Sequence, residues 1–110
     1  MTAEPIDLDA LVAELLAQAQ QSASARGART VYAGDPLRQT VIALRGGAEL
    51  AEHDSPPEAT LQVLQGSILL RGQAREWALT AGDLVPIPPE RHSVVAVEDS
   101  AFLLTVRAAR

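Results

Sequence analysis

Residues 59–72 read ATLQVLQGSILLRG, and two strands with the turn between them can be read from that stretch alone. Ala59, Leu61 and Val63 alternate with Thr60 and Gln62. A period of two puts the apolar side chains on one face and the polar ones on the other, the pattern of a half-buried strand. Gln65, Gly66 and Ser67 interrupt the alternation with turn chemistry, and SILLRG resumes an apolar run that ends on Gly72.

The same reading extends in both directions. TVYA, QTVIALR, AELAE, ATLQVL, SILLRG, REWALT, DLVPI, HSVVAVE and AFLLTVR predict nine short strands, divided by GDP, RGG, HDSPPE, QGS, GQA, AGD, PPER and EDS. Many short strands with regular turns and no helices between them predict an all-β sandwich or barrel. Ahead of them, Leu8, Leu11, Val12, Leu15, Leu16 and Ala19 share one face of a helix. Asp7 suits its N-cap, and Asp9 and Glu14 suit its positive end and wet face. QQSASARGA loses the periodicity and reads as fraying followed by a loop. The expected organisation is therefore a helix and connecting loop over residues 1–29, then one β domain over 30–110.

Composition limits the chemistry. The 110 residues are 47% hydrophobic, enough for one core. Tyr32, Trp77 and Phe102 are the only aromatics, so that core must be Val, Leu, Ile and Ala. A net charge of −5 argues against nucleic acid and anionic membranes as partners. No apolar run is long enough to span a bilayer. The opening MTAEPID lacks a basic and then apolar leader, so a cytoplasmic location is expected. There is no Cys, which excludes disulfides, thiolate zinc sites and a cysteine nucleophile. There is no Lys, which excludes Schiff-base chemistry and a phosphate-binding P-loop lysine. The chemistry must come from His53 and His92, the carboxylates, arginines, Tyr32 and a few hydroxyls.

Two motifs now stand out. Gly47, five residues and His53 open the first, and Gly66 closes it; the second runs over GDLVPIPPERH, with Pro88 after five residues from Gly82 and His92 at its end. Fifteen residues separate Gly66 from Gly82. In order and spacing, residues 30–107 resemble the cupins of RmlC-like type, whose motifs read G-x5-H-x-H-x3,4-E-x6-G and G-x5-P-x-G-x2-H-x3-N. The resemblance implies an all-β, cupin-type antiparallel β-barrel (jelly roll), here preceded by one N-terminal amphipathic α-helix. The departures are specific. Ser55 stands where the family has its second histidine, Ala59 where it has its glutamate, Glu90 at a glycine position and Ala96 at the final asparagine, with one residue missing before His92.

The resemblance implies that His53 and His92 meet inside the barrel near one end. By strand parity Ser55 looks the same way as His53. A stable metal site needs three protein ligands with an open position, or four. Glu49 has the parity of His53 and is one candidate third ligand; Glu58 is another if a bulge turns it inward. Two imidazoles with such a carboxylate would suit Zn, Fe, Ni or Cu. Without it, the expectation is a metal-free pocket, with no cofactor, in which His53, Ser55 and His92 bind a small-molecule ligand.

Other groups are weighed beside these. His53 and Ser55 could form a hydroxyl nucleophile, but no G-x-S-x-G elbow or oxyanion loop accompanies them. Asp54, Glu58 and Glu90 are candidate acids or bases, against their ordinary reading as solvated turn residues. Arg45, Arg71 and Arg91 are candidate clamps for a carboxylate or sugar acid. Pro56, Pro57, Pro88 and Pro89 stiffen the loops around both histidines. The helix has an apolar stripe that must be covered, by its own barrel or by a second protomer. Edge cover and the family's habits together predict a homodimer, with Tyr32 on an early edge strand. Three functions stay open: a cupin that binds a small polar or acidic metabolite; a metal-dependent enzyme of dioxygenase or isomerase type using His53 and His92; and a scaffold whose barrel serves only dimerisation.

Overall fold

The computed structural model of the protein describes residues 4–53 and 55–107. One helix, α1 (Leu8–Gln21), precedes nine strands: β1 (Arg26–Ala33), β2 (Leu37–Leu44), β3 (Glu49–His53), β4 (Glu58–Gln65), β5 (Ser67–Arg71), β6 (Glu76–Thr80), β7 (Leu84–Pro86), β8 (His92–Ala96) and β9 (Ser100–Arg107). The Asp7 carboxylate caps α1, accepting the Ala10 N–H at 3.1 Å. All three motif glycines, Gly47, Gly66 and Gly82, take positive φ angles of 89°, 86° and 96° at turns.

The strands form two antiparallel sheets, ordered β1-β2-β9-β4-β7 and β3-β8-β5-β6. This is a jelly roll whose two sheets are hydrogen-bonded separately and keep open edges, so the barrel takes the form of two facing sheets rather than one continuous cylinder. Between them lies the main core, built on Leu44, Leu61, Val63, Ile68, Leu70 and Phe102, each no more than 1% exposed. Aliphatic side chains fill it, with Phe102 the one fully buried aromatic.

The five-stranded sheet is covered on its other face too. Leu11, Val12 and Leu15 of α1 pack on Val41, Ala43 and Ala101. The helix therefore lies on its own sheet. Burial on both faces explains why β2 and β9 read as nearly unbroken apolar runs: Val41 and Ala43 meet the helix while Ile42 and Leu44 meet the other sheet.

The structure departs from the sequence reading at the start of β1. That strand begins at Arg26, inside the stretch read as loop, and Arg26–Thr30 pair in register with Leu44–Thr40. The alternation is hidden because the buried member is a glycine. A Cβ on Gly27 would stand 2.7 Å from the Leu15 carbonyl oxygen, so only glycine lets α1 lie this close.

Candidate functional site

The two histidines converge. His53 ends β3, His92 opens β8, and the two are direct partners in the antiparallel register. Directly opposed residues share a face of the sheet. The rings meet edge to face, with centroids 4.5 Å apart and planes inclined by 62°. On β8, Val94 and Ala96 belong to the core between the sheets. Parity puts His92 on that same inner face, and it is 4% exposed. His53 lies on the edge strand and is exposed.

Each imidazole is oriented by its own backbone. His53 Nδ1 is 2.9 Å from the Ala51 carbonyl oxygen, and His92 Nδ1 is 2.9 Å from that of Glu90. A carbonyl oxygen only accepts, so Nδ1 carries the proton in both rings. In the neutral rings both Nε2 atoms then hold an unprotonated lone pair. Among the described residues no buried side-chain nitrogen or oxygen lacks a hydrogen-bond partner. His92 Nε2 has no hydrogen-bond partner among the described residues, so it is not a sealed-in atom and opens to the surface. Outside the rings, Arg91 Nε meets Glu52 Oε1 at 3.2 Å. This ion pair links the residues directly preceding the two histidines. It is half exposed and adds little stability, but it braces β3 against β8 beside the rings.

The other candidates are placed elsewhere. Glu49 does not share the face of His53. It sits opposite Val95, and a bulge between Leu50 and His53 reverses the parity of the strand. Leu50, and not Glu49, packs on the core. Glu58 sits beside the inward-facing Ala59, and its carboxylate pairs with Arg107 at 2.9 Å. Neither glutamate joins the histidines, and no three His, Cys, Asp or Glu side chains among the described residues form a metal-holding group. Ala59, at the family's glutamate position, faces the interior with nothing to donate. The two nitrogens that the described residues supply do not by themselves fit a firmly bound metal ion.

Ser55 lies beyond the end of β3, where strand parity no longer applies. Its hydroxyl donates to the Pro56 carbonyl at 3.0 Å, and not to an imidazole, so no Ser–His pair forms. It lines a neighbouring open cleft of about 470 Å³ with Pro56, Pro57, Pro89, Glu90 and Arg91. Asp54 lies outside the described residues. The candidate arginine clamps are engaged: Arg45 with the Gln20 carbonyl at 3.2 Å, Arg71 with Glu76 at 3.0 Å, and Arg91 with Glu52. The sequence reading missed the two carbonyls that fix the rings and the Glu52–Arg91 brace. The one available signal was that Glu52 and Arg91 each directly precede a histidine, and this has meaning only once β3 and β8 are known to pair.

The architecture and paired histidines define the class: the chain has the fold of the RmlC-like cupins. No family model matches it, and no curated protein does so significantly. Among solved structures it is similar to a conserved protein of unknown function from Streptococcus pyogenes, with a TM-score of 0.76 and 24% identity over 100% of this chain and 91% of that one. A cupin superfamily protein from Desulfitobacterium hafniense aligns with a TM-score of 0.71 and 13% identity, over 76% of this chain and 78% of that one. A mutant of salicylate 1,2-dioxygenase from Pseudoaminobacter salicylatoxidans aligns with a TM-score of 0.71 and 21% identity, over 89% of this chain and 32% of that one. At these identities the likeness establishes the fold, and activity has to be argued from the site.

Proposed function

We propose that this cupin-fold chain binds a small polar metabolite at the rim of the sandwich, without firmly bound metal, and that His53 and His92 are its recognition groups. The observation that carries this reading is that each ring sets its Nδ1 2.9 Å from a backbone carbonyl oxygen. With each Nδ1–H committed to a backbone carbonyl, the neutral rings keep both Nε2 atoms as acceptors on imidazoles whose centroids lie 4.5 Å apart. Such a pair favours a ligand that presents hydroxyl or N–H donors. The cleft walled by Pro56, Pro57 and Pro89 is lined by neither ring, but its walls come from the chain segments that flank both histidines in sequence. The test is a thermal-shift screen of sugars, polyols and hydroxy acids with chelator present, followed by calorimetry on the hits. Stabilisation that disappears in His53→Ala supports the reading. A hit whose affinity is unchanged in that variant places binding elsewhere.

A second reading, a metal-dependent enzyme of dioxygenase or isomerase type, has the same tautomer in its favour, since a metal-ligating histidine ordinarily gives its other N–H to a carbonyl or carboxylate. Against it stands the donor set among the described residues, which is two nitrogens. Elemental analysis of protein purified without a histidine tag separates the readings: stoichiometric metal that is absent from His92→Ala supports the second.

The reading includes a homodimer. β1 is an edge of the five-stranded sheet and carries Tyr32, 53% exposed, while Leu37 at the start of the next strand is 42% exposed. A long edge strand with apolar side chains is suited to pairing with a second copy. Sedimentation that gives a monomer at micromolar concentration overturns this part.

A further inference from the structure

The segment that delivers His92 is tied to a hairpin from which it is distant in sequence. The Glu90 carboxylate accepts the backbone N–H of Gln73, in the turn between β5 and β6. The same carboxylate lies against Gly72, where any Cβ would collide with it. Gln73 Nε2 donates to the Arg91 carbonyl at 3.3 Å, a second tie between the same two segments. Within the loop, Glu90 N–H donates to the Pro88 carbonyl at 2.8 Å. The side chain, amide and carbonyl of Glu90 are thus all engaged, and the carbonyl is the atom that holds His92 Nδ1.

We propose that Glu90 is a positioning residue for His92: its carboxylate pins the β7–β8 loop to the β5–β6 turn, and the carbonyl so fixed selects the Nδ1–H tautomer that leaves Nε2 as an acceptor. His53 gives the contrast. It takes the same bond from Ala51, whose methyl side chain can pin nothing. The buried ring is held by an anchored loop, and among the described residues the exposed ring is held by its own strand, its pairing with β8 and the Glu52–Arg91 pair.

The inference rests on the reading of His92 as a recognition group, but its test observes the ring itself and needs no ligand. Long-range proton–nitrogen NMR of the neutral protein distinguishes a pyrrole-type from a pyridine-type ring nitrogen. Wild type is expected to show protonated Nδ1 and bare Nε2 at His92. Glu90→Ala is expected to lose that pattern for an averaged one, and to lose at least tenfold of the hydrogen-exchange protection at the Gln73 amide. Glu90→Gln, whose amide oxygen can still accept the Gln73 N–H, is expected to restore both. A His92 pattern unchanged in Glu90→Ala overturns the proposal, as does its loss in both variants. If Glu90→Ala does not fold, wild-type exchange decides: a protected Gln73 amide supports the pin, and one exchanging at the unprotected rate overturns it. Failure of the metabolite screen with the expected NMR result would count against the proposed function and leave the role of Glu90 standing.

Discussion

A β-carbon on Gly66 would collide with the hydroxyl of Ser100 and with the Asp99 carbonyl. Ser100 is fully buried, and its Oγ accepts the Ser67 N–H at 3.0 Å while the carbonyls of Glu98 and Ser67 lie 2.7 and 2.9 Å away. The β4–β5 turn is therefore seated on the start of β9 through one hydroxyl, and Gly66 leaves room for it. Gly66 also has a φ of 86°, which disfavours any L side chain. Gly66→Ala is expected to destabilise the fold by about 2–4 kcal/mol, from the backbone term plus the collision. Denaturant titration measures it. Ser100→Ala added to Gly66→Ala should cost less than the sum of the two single changes, because both act on one contact.

The docking of α1 is a separate packing unit. Leu15 is 0% exposed against β2 and β9, and Gly27 lies directly beneath its backbone. Leu15→Ala should cost about 2–5 kcal/mol through lost burial and a residual cavity. Gly27→Ala should also destabilise, since the new methyl group must lift the helix from β1. The helix is held at its far end by Asp99, which accepts Gln20 Nε2 and Gly46 N–H, each at 2.7 Å. Asp99→Ala is expected to cost about 1–2 kcal/mol. Circular dichroism checks that the strands survive in each variant.

How far the sequence could be read depended on what each face of a strand touches. The alternation in β4 was legible because Thr60 and Gln62 separate three inward apolar residues. The helix was legible because its stripe repeats over four turns. The start of β1 was hidden because its buried position is Gly27, which has no side chain to mark a face. The face of Glu49 was misread for a different reason. AELAEH carries no sign of the bulge between Leu50 and His53, which exists only in the pairing with β8. Parity counted along one strand cannot include an extra residue that its partner lacks. The meeting of His53 with His92 followed from motif order, whereas the tautomer of each ring depends on a main-chain carbonyl that any residue type could have supplied.

His53 allows recognition to be separated from stability. It is exposed on an edge strand, with a single hydrogen bond to its own backbone. His53→Ala should change unfolding free energy by no more than about 0.5 kcal/mol. If the paired Nε2 atoms bind the metabolite, the same variant should weaken a confirmed ligand by about tenfold or more, equivalent to about 1.4 kcal/mol. His92→Ala is a less clean probe, because it also empties a buried position. Calorimetry beside chemical denaturation on both variants gives the two quantities separately. Equal ligand affinity in wild type and His53→Ala would remove the exposed ring from the site.

The incomplete donor set leads to a gain-of-function prediction. Ala59 occupies the family's glutamate position and is 8% exposed within the core between the sheets. Ala59→Glu places a carboxylate among Leu61, Ile87 and other apolar neighbours, so the metal-free variant should lose on the order of 3 kcal/mol by burying an uncompensated polar group. If the new carboxylate reaches the imidazoles, the site gains a third donor, and zinc affinity should rise by at least about tenfold over wild type. Zinc should then raise the melting temperature of Ala59→Glu well above its effect on wild type, because metal that binds only the folded state stabilises it. Adding His92→Ala must abolish that gain. A variant that is destabilised but does not respond to zinc would show that position 59 lies out of reach of the histidine pair, and that the missing glutamate is not what separates this chain from a metal-binding cupin.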